Sequence, residues 1–189
     1  MLSSRAFALA LAAALLALAG CGSGSSGGGA AKSAGSEAAA QATGDIPDNQ
    51  VFLTYADKAA HYAVKYPEGW ARSGSGASVG FSDKDNTVRV TVARGSAPAP
   101  AAVRATLSAE AGVKAAAPRT VTTKAGRAIL VSYQMQGPAD PVTGKRPLLL
   151  VDRYVYARAG RVATMDLATP KGVDNVDAYR LISRSFQWR

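Results

Sequence analysis

The chain has 189 residues, 48% of them hydrophobic, with 22 Lys plus Arg against 13 Asp plus Glu and a net charge of +9. Its one Cys cannot close an intramolecular disulfide, and with one His it leaves too few soft ligands for a structural zinc site or an iron–sulfur cluster. Disulfide scaffolds and zinc modules are therefore excluded.

Residues 1–20 have the layout of an export signal peptide, with Arg5 in a short charged region followed by an apolar run from Ala6 to Leu18. That run is shorter than the about 20 apolar residues of a membrane span. It ends in Leu18-Ala19-Gly20-Cys21, which resembles the bacterial lipobox. The resemblance implies cleavage between Gly20 and Cys21 and acylation of Cys21 as the new N terminus. An unpaired Cys in an exported protein is then accounted for. Each buried CH₂ of an acyl chain contributes about 0.8 kcal/mol, so two or three chains hold a protein on a bilayer. The expected location is the extracytoplasmic face of the cell membrane. Residues 21–49 carry no apolar side chain larger than Ala until Ile46, too little to offset the entropy of ordering them. They read as a disordered tether; a Gly/Ser-rich coil of this length spans ~30 Å.

Residues 50–189 are expected to form one domain, with 20 basic and 10 acidic side chains after residue 50. Val51–Tyr55 and Tyr62–Tyr66 are β-rich runs around the turn Asp57-Lys58 and predict a hairpin. Pro67-Glu68-Gly69 stops the second run ahead of Trp70. Ala77–Phe81 and the alternating Thr87–Val92 predict a second hairpin around Ser82–Asn86. After Pro98 and Pro100, Val103, Leu107 and Ala111 recur at helical spacing and predict a helix over Ala101–Ala111. Thr120–Lys124 and Arg127–Gln136 flank Ala125-Gly126. Leu148–Arg158 and Arg161–Leu167 flank Ala159-Gly160, a further hairpin. Asp174 is the expected N-cap of a final helix running to Arg184, with Val176, Tyr179, Ile182 and Phe186 on one face. Trp70 and Phe186 are expected in the core. Because no strand–helix–strand alternation recurs, the class is α+β, a mostly antiparallel sheet flanked by helices.

Phe52-x-x-Tyr55, then Tyr62-x-Val64-x-Tyr66-Pro67-x-Gly69-Trp70, and a closing helix ending in Ser185-Phe186 resemble the PsbP/Mog1-like α/β/α sandwich, across essentially residues 51–189. Members of that family serve as an extrinsic photosystem II subunit, as a nuclear-transport factor, or as actinobacterial surface lipoproteins of the LpqN group. The resemblance implies a fold and leaves activity open, since the matching motifs are packing features.

Little in the sequence points to catalysis. His61 is the sole His and stands at the start of a strand, where an exposed edge position is the ordinary reading. No Gly-x-Ser-x-Gly occurs. Asp152 and Asp166 fall on adjacent hairpin strands and could face each other, although carboxylates in a sheet more often meet Arg153, Arg158 or Arg161. Ser82–Thr87 lacks the Gly and Glu of a calcium loop. No catalytic residues, metal or cofactor are expected, and no nucleic acid, because no basic run or stacking array of aromatics occurs. Lys145 and Arg146, at the tip of the 137–147 loop, are candidates for contact with an anionic surface. The reading is a membrane-anchored, non-enzymatic binding or accessory module whose partner is an envelope protein or an anionic lipid or polymer. The alternative is a carrier or sensor of an amphipathic or anionic small ligand held between sheet and helix.

Replacing Cys21 by Ala should move the protein from the membrane fraction to the soluble fraction on cell fractionation. A variant that stayed wholly with the membrane would show that another element anchors it.

Overall fold

β-Branched and aromatic side chains at alternate positions favour extended backbone, and strands dominate accordingly. The computed structural model describes residues 44–189. In chain order the elements are β1 (Phe52–Asp57), β2 (Tyr62–Pro67), β3 (Ala71–Ser75), β4 (Ser78–Asp83), β5 (Asn86–Arg94), α1 (Pro100–Ser108), β6 (Lys114–Ala115), β7 (Arg119–Thr123), β8 (Gly126–Gln136), β9 (Leu148–Arg158), β10 (Arg161–Pro170), α2 (Val176–Ser185) and β11 (Gln187–Trp188). The expected signal peptide, Gly20–Cys21 cleavage, Cys21 acylation and the expected tether up to residue 43 lie outside the described residues. Among the described residues, no helix is long and apolar enough to cross a membrane.

Two antiparallel sheets result among the described residues. The smaller has the order β1-β2-β11, and the larger has eight strands in the order β3-β4-β5-β10-β9-β8-β6, with β7 also on β8. The four expected hairpins are present as β1/β2, β4/β5, β7/β8 and β9/β10. The turn at Ala159-Gly160 has φ of 48° and 72°, which suits a two-residue turn whose twist matches the strands.

The large sheet carries a packed core on each face. On one, Val88, Val90, Tyr156, Ala163, Met165 and Leu167 pack against Tyr62 and Val64 of β2 and Tyr179, Ile182 and Phe186 at α2. On the other, Val131, Tyr133, Val151 and Val155 pack against Val103 and Leu107 of α1. This is the α+β sandwich expected. Phe186 is fully buried and joins the layers: its ring stacks on Tyr156 at 4.3 Å and on Tyr62 at 5.9 Å, and meets the edge of Trp188 at 5.4 Å.

Several expectations need correction. The folded domain takes in residues before Val51: Ile46 N–H donates to Asn175 Oδ1 at 2.7 Å, and the Gly44 carbonyl accepts from Asn86 Nδ2 at 2.6 Å, so residues 44–49, expected to be disordered, belong to the fold. Three strands, β3, β6 and β11, were not foreseen. β3 has no apolar alternation and forms an exposed edge on β4, held to its path by Gly74, where a Cβ would come within 2.4 Å of the Ser78 carbonyl. α1 ends at Ser108, so Ala111 lies beyond the helix and is exposed; Val113 packs in its place. The N-cap residue of α2 is Asn175 and not Asp174. Asn175 turns its side chain inward, where it donates to Asn86 Oδ1 at 3.0 Å and Thr169 Oγ1 at 3.1 Å. Asp174 is left a 3.3 Å contact from Val176 N–H. Trp70 is half-buried at the margin of the core.

Truncating a buried aromatic removes its transfer energy and leaves a cavity, at about 3–5 kcal/mol. Phe186→Ala should therefore lower the melting temperature by roughly 6–20 °C for a domain of this size, and a melt equal to wild type would mean the stack does not form.

Candidate ligand cleft and basic face

Two tyrosine hydroxyls tie α2 to the sheet: Tyr156 donates to the Ser183 carbonyl at 3.0 Å and Tyr179 to the Ala168 carbonyl at 2.5 Å. Beside the helix, the same sheet face opens into a cleft of about 520 Å³. Antiparallel register sets its floor as rows across the strands: Gln134, Leu150 and Thr169, then Ser132, Asp152 and Leu167, then Tyr154. Val173, Val176 and Tyr179 line the α2 side, and Lys114 and Arg119 line the side of β6 and β7. The sequence pattern placed Val176 on the buried stripe of α2. It is 61% exposed, because the helix begins at that residue and its first turn reaches past the packed part of the sheet into the cleft.

A second groove of about 510 Å³ runs along the other flank of α2, lined by Lys65, Lys124, Arg180 and Arg184 with Asp177 as its single carboxylate. Arg180 borders both grooves. Together they hold six basic side chains and two acidic ones, and both acids are engaged. Asp152 accepts from Ser132 Oγ at 2.5 Å, and Asp177 pairs with Arg180 at 2.6 Å. Burial pushes the Tyr154 phenol up and the Asp152 charge adds to the rise, while Ser183 and the positive charges of Arg119 and Arg180 act against it.

The residues singled out in the sequence fall elsewhere or apart. Asp152 and Asp166 do not face each other: Asp152 is opposite Leu167, and Asp166 is opposite Arg153, so the one-residue offset sends the two carboxylates to opposite faces. Asp166 instead takes a two-pronged bond from Arg153, with Nε and Nη2 both at 2.7 Å and both side chains about one-fifth exposed. The Arg153 guanidinium also lies 5.5 Å from the Tyr133 ring. His61 is exposed, at a turn with φ of 58°. Among the described residues, no group of three or more His, Cys, Asp or Glu gathers to hold a metal. Lys145 and Arg146 are exposed on the 137–147 loop. There Asp140 accepts from Thr143 N–H, the Thr143 hydroxyl and Val142 N–H, bonds that hold its carboxyl below the usual range. Arg146 donates to the Gly137 carbonyl at 3.1 Å, so part of its charge serves the loop's own closure. The sequence offered a ligand position between sheet and helix and a basic excess, but not the residues of the cleft and the basic flank of α2, because these come from elements far apart in the chain, among them β2, β6, β7, β9 and α2.

No family model matches the chain, and no curated protein does. Solved structures do. Cyanobacterial PsbP from Synechocystis sp. PCC 6803 is similar over 77% of this chain and 98% of its own, at 15% identity and a TM-score of 0.54. The Saccharomyces cerevisiae Ran-binding protein Mog1p is similar over 74% and 96%, at 8% identity and a TM-score of 0.51. Mycobacterium tuberculosis LpqN, involved in cell envelope biogenesis, is similar over 76% and 87%, at 13% identity and a TM-score of 0.42, too loose a match to argue from. At these identities the likeness to PsbP and Mog1p establishes the PsbP/Mog1 fold and nothing further.

Burial, with a contribution from the Asp166 charge, pushes the Tyr133 phenol up to about 12. An unfolded tyrosine titrates near 10, so this group's contribution to stability is complete below pH 10 and is lost as the pH rises from about 10 to about 12. Urea midpoints measured across that window should fall with pH, and Tyr133→Phe should flatten the fall; an unchanged slope would show Tyr133 to be solvated.

Proposed function

We propose that the chain is a non-enzymatic binding module, held at the extracytoplasmic membrane face through acylated Cys21, that engages an anionic surface of the envelope with the basic face around α2. The observation carrying this reading is the charge imbalance of the two grooves: Lys65, Lys114, Arg119, Lys124, Arg180 and Arg184 meet two carboxylates, of which Asp177 takes Arg180 and Asp152 takes Ser132. Each Lys or Arg near an anionic bilayer is worth about 1 kcal/mol, so a face of this composition binds weakly one group at a time and firmly as a whole. Lys145 and Arg146 add a second, smaller basic point on an exposed loop. The exposed position of His61 and the separation of Asp152 from Asp166 support binding over acid–base chemistry.

The test uses the full chain carrying Cys21→Ala, so that lipid anchoring does not mask the surface, with vesicles of phosphatidylcholine containing phosphatidylglycerol. Co-sedimentation should weaken steeply as salt rises, because exposed charges reach only about 8 Å at physiological ionic strength. Arg180→Glu with Arg184→Glu should weaken it roughly tenfold or more, and Lys145→Glu with Arg146→Glu should weaken it less. Binding that ignored salt and both double variants would overturn the electrostatic reading.

A further inference from the structure

The cleft between α2 and β8–β9 differs in kind from the basic surface around it. Its volume, about 520 Å³, falls within the range of small-molecule sites, and its lining is divided along its length. At one end Leu150, Val173 and the exposed Val176 present apolar surface beside α2, while Gln134 and Lys114 close the same row at the β6 edge. Two rows along the strands, a distance of about 14 Å at ~3.4 Å per residue, Tyr154 lines the cleft in the row that Arg119 closes from β7, and Arg180 lines it from α2 while its Nη1 donates to Asp177 at 2.6 Å. Asp152 lies in the row between, where its charge repels an anion, and its Oδ1 is taken by Ser132. A negative group entering the cleft is therefore pushed from the middle and drawn most strongly to the Tyr154 end, where two guanidiniums outnumber the single Lys114 ammonium of the other end, and a hydrocarbon tail then lies against Leu150, Val173 and Val176.

From this division we infer that the cleft is a binding site for a small amphiphile with one anionic head, a carboxylate or phosphate, held between Arg119 and Arg180, and an apolar chain lying against Leu150, Val173 and Val176. The inference reaches beyond surface attachment: the anion is selected together with its tail, and the occupant is a single molecule. Neither part of the cleft suffices alone. A multivalent surface contact has no use for an exposed Val176 beside Leu150 and Val173, and an apolar contact has no use for two arginines lining the same cleft. Such a ligand arises either free or as a membrane lipid, and the head and tail chemistry is the same.

The probe is decanoate, with decanol as its uncharged counterpart, added to the full chain carrying Cys21→Ala. Calorimetry should show decanoate binding more tightly than decanol, with methyl resonances of Leu150, Val173 and Val176 shifting on titration. Arg119→Gln with Arg180→Gln should cut decanoate affinity at least tenfold and leave decanol unchanged. Val176→Trp, a substitution at an exposed position, should block both by filling the tail end. Equal affinity for the two probes, or shifts confined to methyls outside the cleft, would overturn the site. Two further variants separate this inference from the surface reading: Val176→Trp should spare vesicle binding, and Arg184→Glu, outside the cleft, should weaken vesicle binding and spare decanoate. Transfer of a fluorescent phosphatidylglycerol out of vesicles would support the site with a membrane lipid as its source, and decanoate binding without transfer would support it with a free one.

Discussion

Two short helices cannot cover an eight-stranded sheet. A helix with its side chains is about 10–12 Å across and strands stand about 4.8 Å apart, so one helix shields roughly two strands. α2 is tied down on β9 and β10, and the small sheet packs over β4 and β5 through contacts such as Tyr66 on Phe81 at 4.0 Å. On that face the shortfall comes at β6, β7 and β8, where the cleft lies. On the opposite face α1 shields β8 and β9, and the strands beyond it turn outward small and polar side chains: Ser78, Gly80 and Ser82 on β4, Thr87, Arg89 and Thr91 on β5. The alternation of each strand answers to what stands above and below it.

Charge follows the same geometry. Arg153 sits on β9 between Val151 and Val155, where the α1 layer meets the polar part of its face, and a lone guanidinium there would be costly. Asp166 on the next strand neutralises it with two short bonds, and Tyr133 receives its flat side. A pair of carboxylates that might have worked together is thus divided, one serving Arg153 and the other Ser132. Along α2 the acids gather at the start and the bases at the end, Asp177 in the first turn and Arg184 in the last, which suits the helix dipole at about 0.3–1 kcal/mol per group. That benefit accounts for Arg184 at the helix end and says nothing of Lys65, Lys114, Arg119 or Lys124, which come from other elements and meet at the two grooves.

The start of α2 shows how a buried polar requirement overrides a local preference. Asn175 could cap its own helix. Its amide instead joins Asn86, Thr169 and the backbone of residues 44–46, because buried donors and acceptors left unpaired cost about 1–3 kcal/mol each. The network welds β5, β10 and α2 to the segment that precedes β1, and it moves the domain boundary to a stretch whose composition alone resembles a linker.

The hairpins, the two helices, the stop at Pro67-Glu68-Gly69 and the α+β class were legible in the sequence because each rests on periodicity or turn chemistry within a few residues. Phe186 was legible as core for the same reason, being the last member of a helical stripe. Other features were decided only by the tertiary structure. β3 forms because β4 offers it an edge, Ala111 and Val176 leave their stripes because the helices end or begin beside them, and residues 44–49 order because Asn175 and Asn86 reach them. Asp152 and Asp166 part company because register, which depends on how two strands meet, sends neighbouring positions to opposite faces. A ligand position between sheet and helix was within reach of the sequence, but the lining of the cleft belongs to this second group: its residues lie as far apart as Lys114 and Arg180 in the chain, and only the limited width of α2 over a wide sheet brings them around one space.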